Sequence, residues 1–369
     1  MKIAYIVIKG MTFGGGIEKW TEEVGSRLAK KGHEIIVYTM RHYDEAKDRL
    51  YKGMKIKTVP TLRSRSLEKI TATFIATLKC CLEKEIDIVH FHAFGPAMFC
   101  FIPRISGRKV VVQGYGLEWK RARWGIVGRL FLRVTEIPSV IFPNIVTVVS
   151  EVQKRYLMER YGRESIYIPE GVNLPQIEKP DLIKQYGLYG NDYILFVARL
   201  VKEKGAHYLI EAYNRLRPNL KLVIAGDARY EEACKSRLYK MAQGNKNIIF
   251  TGFVRGKMLH ELLSNCYLFV LPSETEGLAI ILLEAMSYGS CCLVSNIPEN
   301  LEALNNFGYT FRNKDVSDLA EKLAFLINNR QAVESVKERA KNHVIENYSW
   351  DKISLDLESL YKEVIGNRR

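Results

Sequence analysis

Residues 267–299 are the stretch that most constrains how this chain can fold. The apolar run Tyr267–Leu271 ends at a proline, and this pattern predicts a short buried strand. A polar turn follows, and the apolar residues Leu278–Tyr288, closed by a glycine, predict a helix. Cys291–Ser295 predicts a second buried strand. A strand, turn, helix and strand in this order are typical of a parallel sheet covered by helices.

Two glutamates flank the start of the predicted helix. Glu276 lies in the turn and Glu284 lies eight positions further on, so a helical rise predicts a separation of about 12 Å. Between them, backbone N–H groups open the helix and predict an anion site at Gly277, Leu278, Ala279 and Ile280. A ligand with hydroxyl groups at both ends and a diphosphate in the middle, such as a nucleotide-sugar, fits this layout. Taken alone, the same spacing also arises by chance in long helices.

Length and charge limit the classes of protein to which the chain can belong. Its 369 residues predict two domains, and no apolar run is long enough to predict a membrane-spanning helix. The net charge of +14 lies almost entirely in residues 1–170. That half is expected to face something anionic, with nucleic acid, an anionic membrane, a phosphorylated acceptor and simple solubility as the alternatives. The seven cysteines lack metal-ligand or redox spacing and are typical of packing residues in a reducing cytosol.

The first half alternates short apolar runs with helical patterns. The predicted strands are Ile3–Ile8, Glu34–Thr39, Met54–Pro60, Ile86–Phe91, Lys109–Val112, Ile145–Val149 and Ser165–Ile168. The predicted helices are Ile17–Lys31, Arg63–Lys84, 126–142 and Glu151–Tyr161. The helix over 126–142 is expected to be largely buried, with a basic helix lying at a membrane interface as the alternative.

Three places in the first half are candidate binding features. Gly14, Gly15 and Gly16 precede a predicted helix, where backbone can approach a phosphate, although they can equally form a plain turn. His90 and His92 end a predicted strand, and alternation is expected to point one of them away from the other. Such histidines are more often structural than catalytic. The third feature is a loop with the cations Lys120, Arg121 and Arg123 between Trp119 and Trp124. This loop can be a surface that binds a ligand, or a basic turn that is exposed to solvent.

The second half repeats the alternation after a linker rich in proline and glycine, predicted at 170–190. Its predicted strands before the central stretch are Ile194–Ala198, Lys221–Ala225 and Ile248–Thr251. Its predicted helices outside that stretch are Ala206–Leu216, Glu231–Gln243, Lys257–Ser264, Val316–Asn328, Ala332–Glu346 and Lys352–Ile365. The two halves therefore share an architecture, and the chain is expected to be an α/β protein.

Several short pieces of sequence occur along the chain in a characteristic order. They are FGGGIE, DIVHFH, ARLVKEKG, VIAGD, IIFTGFV, PSETEGLAIILLEAM and a closing YSW. Together they resemble the retaining glycosyltransferases of family 4. Two further segments, YGLEWKRARWG and NIPEN (296–300), are similar to a subset of the family whose members elaborate surface polysaccharides. The resemblance implies the GT-B fold, in which two Rossmann-like domains face a cleft. It implies an acceptor-binding domain at 1–170, a domain binding a nucleotide-sugar donor at 190–345, and a C-terminal helix within 346–369 that crosses back to the first domain.

The resemblance also implies roles for individual residues. Arg199 and Lys204 are expected to bind the donor diphosphate, approached from the other domain by Gly15 and Gly16. Glu284 is expected to bind the ribose, and Val254 to meet the base through its backbone. His92 and Glu276 are expected to contact the transferred sugar and are the predicted catalytic residues. Gly277, Leu278 and Ala279 complete the predicted donor site.

Electrostatics agrees with these roles. The sequence has no Asp-x-Asp, so no metal or other cofactor is predicted, and the charge of a departing diphosphate must be met by cations and a helix N-terminus. His92 could assist by hydrogen bonding near the reacting carbon. The sequence departs from the family pattern at four places. Ala279 stands where the family usually has a glycine, and Tyr115 stands where it usually has a histidine. Glu170 replaces a usual asparagine, and Ser295-Asn296 replaces a usual Gly-Gly pair.

The sequence thus predicts a metal-independent, retaining glycosyltransferase that moves a hexose from a nucleotide-diphosphate sugar to a glycan or lipid-linked acceptor. Its expected place is the cytoplasm, or the periphery of the inner membrane face, where the basic first half would meet an anionic surface. Nucleic acid is not an expected partner, because the basic residues are spread over many elements. The alternatives are a nucleotide-sugar epimerase or phosphorylase of the same fold, and a non-catalytic partner subunit that only binds the nucleotide-sugar.

Overall fold

A computed structural model describes residues 1–11, 14–44, 49–62, 64, 67–120, 124–228 and 231–366. The chain divides into two compact units. The first unit comprises Met1–Gly171 together with Trp350–Arg369, and the second comprises Val172–Ser349. The second unit is therefore inserted, along the chain, between the two segments of the first.

The first unit is built on a sheet of eight strands. They are β1 (Lys2–Ile8), β2 (Glu34–Met40), β3 (Arg49–Tyr51), β4 (Met54–Val59), β5 (Ile88–His92), β6 (Lys109–Gly114), β7 (Ile145–Val148) and β8 (Ile166–Tyr167). Their order across the sheet is β3-β4-β2-β1-β5-β6-β7-β8. All neighbours pair in parallel except β3, which pairs antiparallel with β4.

In the described part of the first unit, six α-helices accompany this sheet. They are α1 (Gly16–Lys30), α2 (Glu68–Leu82), α3 (Phe101–Ile105), α4 (Ile126–Ile141), α5 (Glu151–Tyr161) and α13 (Trp350–Gly366). Two short 3-10 helices, Pro96–Phe99 and Glu118–Lys120, precede α3 and α4. The strands β1, β5 and β6 are almost wholly buried, because helices cover both faces of a parallel sheet.

The second unit contains a parallel sheet of six strands. They are β9 (Tyr193–Val197), β10 (Lys221–Ala225), β11 (Ile248–Gly252), β12 (Leu268–Leu271), β13 (Cys292–Ser295) and β14 (Tyr309–Phe311), in the order β11-β10-β9-β12-β13-β14. Its helices are α6 (Ala206–Leu216), α7 (Glu232–Ala242), α8 (Lys257–Asn265), α9 (Ile280–Ser287), α10 (Pro298–Leu304), α11 (Val316–Asn328) and α12 (Arg330–Asn347). Strand order reverses between β9 and β12, and ligands of open α/β sheets bind beside such a point, at the carboxyl ends of the strands.

The predicted strands are confirmed to within two residues at each end, because buried parallel strands appear in sequence as continuous apolar runs. Among the described residues, two short strands (β3 and β14), two short α-helices (α3 and α10) and the 3-10 helices were not predicted. Each has seven residues or fewer, too few for a helical or alternating period to be distinct. The predicted helix Arg63–Lys84 is observed as α2, and Arg63 lies outside the described residues.

The segment predicted as a linker packs on the second unit from Val172 onward. It forms a 3-10 helix at Leu182–Tyr186, whose start is held by the buried carboxylate of Glu261. That carboxylate accepts hydrogen bonds from the backbone of Asp181 at 2.9 Å and of Ile183 at 3.1 Å. Proline and glycine here mark a tightly bonded turn and not a free linker.

The last helix, α13, packs against α1 in the first unit. Its buried Trp350, Leu357 and Tyr361 join the core on that side of the sheet. Ion pairs at 2.6 Å flank the contact, from Arg27 to Asp351 and from Lys31 to Glu358. The amino-terminal unit therefore takes part of its core from the far end of the sequence.

The prediction that the helix over 126–142 is largely buried is wrong. In α4 the apolar residues Ile126, Leu130 and Val134 are exposed, whereas Thr135 and Glu136 are buried. High apolar content indicated burial, but the apolar face of this helix points away from its own core. Within the described ranges, none of the helices combines the length and the hydropathy that crossing a lipid bilayer requires.

Candidate functional site

The turn between β12 and α9 presents a row of backbone donors. Helix α9 begins at Ile280, two residues later than predicted, and its N-cap, Ala279, offers no side-chain acceptor. Among the described residues, no acceptor bonds the N–H groups of Gly277, Leu278, Ala279 or Ile280. Unsatisfied donors at a helix N-terminus attract an anionic group. The turn can therefore bind a phosphate or a carboxylate through its backbone.

Lys204 and Glu276 form an ion pair beside this turn. The Lys204 Nζ lies 2.5 Å from the Glu276 Oε1, and the two side chains are only 17% and 8% exposed. A partly buried pair holds each charge in a fixed position, because water competes weakly for it. Two residues with separately predicted roles, one toward a diphosphate and one toward a sugar, thus lie in contact.

The two turns that hold this pair are joined through their backbones. Lys204 ends the 3-10 helix Lys202–Lys204, and Glu274 donates its N–H to the carbonyl of Glu203 at 2.8 Å. Gly205 follows with a φ of +72°, and a Cβ at this position would lie 1.9 Å from the carbonyl oxygen of Pro272. Only glycine allows so close an approach. The position of Lys204 beside Glu276 thus depends on the glycine that follows it.

Arg199 lies earlier in the same loop, where β9 ends. Its side chain is exposed and makes no hydrogen bond or ion pair with any residue that the structure describes. The backbone around it is fixed, since Leu200 donates to the carbonyl of Asp227 at 3.0 Å. Arg199 is therefore a guanidinium available to a ligand on a well-ordered loop.

Val254 and Glu284 lie on other elements of the same unit. Val254 is half-buried and comes just after β11, at the carboxyl end of a strand. Glu284 is half-buried within α9. The predicted helical distance of about 12 Å between the two glutamates does not apply, because the chain is helical only from Ile280.

Of the polar groups beneath the turn, the sequence indicated only Ser295, as a departure from the family pattern. Glu274 accepts a hydrogen bond from Tyr208 Oη at 2.9 Å, and its other oxygen lies 3.0 Å from the Lys314 ammonium. Buried Ser295 donates to the carbonyl of Ser273 at 2.5 Å, and Asn300 donates to Ser295 Oγ at 3.1 Å. These bonds fix the path of the chain that leads to Glu276. The segment NIPEN, which contains Asn300, was the available signal.

In the first unit, the predicted glycines open helix α1. Gly15 is its N-cap and Gly16 its first residue. Within the described residues, nothing accepts a hydrogen bond from the N–H groups of these two glycines. Thr12 and Phe13, which precede these glycines in the sequence, lie outside the described residues. The loop therefore offers a second set of backbone donors, on a helix of fifteen residues.

His90 and His92 lie on the same face of β5, so the expectation that they point apart is wrong. Residues two positions apart in a strand share a face. Their rings stack with centroids 4.7 Å apart, beside Tyr5 and Trp20. The His92 Nδ1 is hydrogen-bonded to the Tyr115 hydroxyl at 2.9 Å, and its Nε2 is buried with no partner among the described residues. Tyr115, noted in sequence as a departure from the family pattern, thus orients His92.

Burial keeps both histidines neutral. It lowers the pKa of His92 from 6.5 to about 3, and the pKa of His90 falls well below its ordinary value for the same reason. Burial also raises the pKa of the Tyr115 hydroxyl, so this group remains protonated. At neutral pH His92 can form hydrogen bonds, but it has no readily available positive charge.

The stability of the first unit is expected to fall as the pH drops below 6.5. In the unfolded chain, His92 takes up a proton as the pH falls through about 6.5. In the folded protein it remains neutral down to about pH 3. The unfolded state then binds more protons, so His92 alone lowers the free energy of unfolding by about 1.4 kcal/mol per pH unit. Urea unfolding followed by fluorescence at pH 7 and at pH 5 tests this, since Trp20 packs on His92. In His92→Gln the slope should decrease by that amount, and an unchanged slope would contradict the assignment.

The predicted basic loop is described only in part. The ammonium of Lys120 lies 5.8 Å from the Trp119 ring centroid, and the Arg133 guanidinium lies 4.2 Å from it. Arg121 and Arg123 lie outside the described residues.

In the described part of the chain, no cluster of three or more His, Cys, Asp or Glu side chains could hold a metal ion.

Comparison with protein families assigns both halves of the chain. A model described as Glycosyltransferase Family 4 matches residues 14–176, and one described as Glycosyl transferases group 1 matches residues 178–343. The chain belongs to glycosyltransferase family 4. It is an enzyme of the glycosyltransferase class, as the sequence predicted.

Two curated relatives of this glycosyltransferase are themselves named as glycosyltransferases. An uncharacterized glycosyltransferase of Methanocaldococcus jannaschii, MJ1607, is 32% identical over 196 residues, which is 52% of this chain and 50% of that protein. The UDP-Gal:alpha-D-GlcNAc-diphosphoundecaprenol alpha-1,3-galactosyltransferase of Escherichia coli is 25% identical over 339 residues, or 87% of each chain.

Among solved structures, the sucrose-phosphate synthase of Thermosynechococcus elongatus superposes with a TM-score of 0.83. The match covers 99% of this glycosyltransferase and 100% of that chain, at 16% sequence identity. It shows the fold, which is the predicted GT-B fold with two Rossmann-like domains.

Proposed function

We propose that this glycosyltransferase transfers a hexose from a nucleotide-diphosphate sugar to a glycan or a lipid-linked saccharide, with retention of configuration and without a metal ion. The observation that supports this most is the Lys204–Glu276 pair beside the unsatisfied donors of Gly277, Leu278 and Ala279. A cation, a carboxylate and several N–H groups at one turn suit a ligand with both phosphate and sugar hydroxyl groups. The Escherichia coli relative is named for a UDP-sugar donor and a lipid-diphosphate acceptor.

The proposed chemistry places positive charge where the leaving group becomes negative. As the bond between the anomeric carbon and the diphosphate breaks, Lys204 and Arg199 meet the charge that develops on the phosphate oxygens. The N–H groups at the start of α9 add partial positive charge. In the first unit, Gly15 and Gly16 offer further backbone donors. The ammonium of Lys204 and the N–H groups at the start of α9 are held in place within the second unit, so they need little reorganisation during the reaction.

The remaining residues are proposed to bind the sugar and the nucleoside. Glu276 would accept hydrogen bonds from hydroxyl groups of the transferred sugar. His92 would accept or donate a hydrogen bond there as a neutral group, because burial lowers its pKa to about 3. Glu284 would bind the ribose hydroxyl groups. Val254 would contact the base through its backbone at the end of β11.

Activity with membrane extract as the acceptor source tests the proposal. A panel of UDP-, GDP-, ADP- and dTDP-sugars is offered, and the released nucleotide and the glycosylated product are measured together. Product that carries the sugar in its original anomeric configuration supports the proposal. Donor that is isomerised without acceptor would point instead to an epimerase, and donor that binds without turnover to a non-catalytic subunit.

Removal of divalent metal is expected to leave the transfer rate unchanged. Arg199, Lys204 and the start of α9 supply the positive charge for which other enzymes use a metal. The measurement is the initial rate after treatment with excess EDTA, compared with rates after adding Mg²⁺ or Mn²⁺ back. A loss of most of the activity with EDTA, restored by one of these ions, would contradict the metal-independent reaction.

A further inference from the structure

Helix α4 turns polar residues toward the interior of the first unit and apolar residues toward solvent. On the inner side, Ser139 donates to the carbonyl of Phe94 at 2.6 Å. Glu136, also buried, accepts hydrogen bonds from the hydroxyls of Tyr156 at 2.7 Å and Tyr161 at 2.8 Å. Hydrogen bonds of this kind fix which side of the helix faces inward. The exposure of the opposite side is therefore a defined feature of the fold.

The outer side of α4 is a continuous apolar stripe. Ile126, Leu130, Val134, Ile137 and Ile141 recur every three or four residues, which places them along one face of a helix. Their side chains are between 44% and 86% exposed. A monomeric soluble protein seldom exposes so large a contiguous apolar surface without using it for binding.

The stripe extends onto neighbouring elements through ring contacts. Phe142 packs on Phe101 at 5.9 Å between centroids, and Phe99 packs on Phe74 of α2 at 5.2 Å. Helix α2 has an exposed stripe of its own, with Phe74, Leu78 and Leu82 at helical spacing. The two stripes and the aromatic residues between them are called the apolar face below.

On α4, the exposed charges beside the stripe have one sign, whereas the end of the α2 stripe at Leu82 is followed by charges of both signs, at residues 83–85. Arg129 and Arg133 flank the stripe of α4, and Lys79 lies next to the stripe of α2, all of them exposed. The one carboxylate of α4, Glu136, is buried on the inner side. An exposed apolar stripe with a cationic border is typical of helices that lie in the interface of a bilayer containing anionic lipids.

We propose that the apolar face docks onto an anionic lipid bilayer, with α4 parallel to the membrane plane and its stripe among the upper acyl chains. Arg129, Arg133 and Lys79 then meet the lipid phosphates. The sixteen residues of α4 are too few to span the hydrocarbon core, which fits a helix lying in the interface. The docking proposal rests on the proposed function in one respect, which is that docking would bring the enzyme to a lipid-linked acceptor.

A second copy of the chain is a less suitable occupant. A twofold interface sets the same patch of both subunits against each other. The arginines bordering α4 would then approach one another, and α4 exposes no carboxylate to pair with them. Anionic headgroups match the charge of this border directly.

Vesicle flotation without any sugar substrate tests the docking separately from the transfer reaction. The parent enzyme should float with vesicles of phosphatidylcholine mixed with phosphatidylglycerol, and much less with phosphatidylcholine alone or at high salt. Leu130→Gln with Val134→Gln, and Arg129→Glu with Arg133→Glu, should each lower the bound fraction by roughly tenfold. Phe325→Gln with Leu355→Gln removes exposed apolar side chains elsewhere and should bind as the parent does. Circular dichroism confirms that each variant is folded.

A tryptophan at the stripe reports contact with the acyl chains. In Val134→Trp, brominated lipid should quench emission more strongly than in the parent enzyme. Absence of binding by the parent, binding unaffected by the α4 variants, or absence of added quenching would overturn the proposal. So would a dimer of the parent, seen by analytical ultracentrifugation, that becomes monomeric in Leu130→Gln with Val134→Gln.

Discussion

Replacing Lys204 by alanine is expected to lower kcat/KM for the donor by about 100- to 1000-fold, the range found when one preorganised donor is removed from a developing charge. The ammonium of Lys204 is held 2.5 Å from Glu276 in a largely buried position, so no solvent cation can replace it. The measurement is the initial rate of product formation over a range of donor concentrations. Glu276→Ala is expected to cause a loss of similar size, since it removes the partner that positions the ammonium and a proposed contact to the sugar.

Lys202 provides a matched control for this prediction. It lies two residues away in the same 3-10 helix, and its side chain is exposed. Lys202→Ala removes the same charge from the same loop and is expected to retain nearly all activity. If Lys204→Ala were as active as Lys202→Ala, the proposed role of Lys204 at the diphosphate would be wrong. Thermal unfolding of each variant separates a loss of activity from a loss of fold.

Replacing Gly205 by alanine is expected to destabilise the second unit by about 3 to 5 kcal/mol, among the largest effects of a single substitution. The new Cβ would lie 1.9 Å from the carbonyl oxygen of Pro272, and backbone on both sides prevents a rotamer change from relieving the overlap. The φ of +72° adds about 1 to 2 kcal/mol for a residue with a side chain. The strand that leads to Glu276 would have to move away from Lys204.

The chain offers a control with the same backbone conformation but no overlap. Gly244 has a φ of +84° and nothing within 4 Å of an added Cβ, so Gly244→Ala should cost only about 1 to 2 kcal/mol. All four tryptophans lie in the first unit, so fluorescence follows that unit and circular dichroism follows both. Gly205→Ala should lower the temperature at which ellipticity is lost and leave the fluorescence transition largely unchanged. Equal shifts for the two variants would show that the close approach to Pro272 does not matter.

Much of the fold could be predicted because buried parallel strands have a distinctive composition. β9, β10 and β12 appear in sequence as uninterrupted apolar runs bounded by turn residues, and the structure places them where they were expected. The resemblance to family 4, based on motifs in a fixed order, gave the fold and the enzyme class. It also proposed Lys204 and Glu276, which are 72 residues apart in sequence, as parts of one donor site.

Other features depend on tertiary contacts that periodicity cannot supply. The ion pair between Lys204 and Glu276 needs the approach of two loops at Gly205, and no local pattern indicates that approach. The exposure of α4 was predicted wrongly, because composition shows how apolar a helix is and not which side faces the core. Stacking of His90 on His92 could have been predicted from strand period alone, since residues two apart share a face.

The packing of α13 on α1 also has a consequence for biosynthesis. A ribosome synthesises the whole second unit before it synthesises α13. Until then, the core on one side of the amino-terminal sheet lacks the residues that α13 contributes. During that interval the neighbours of Trp350 and Tyr361, among them Gly171 and His90, lack those contacts. A premature stop codon anywhere before residue 350 would thus impair the unit that was translated first.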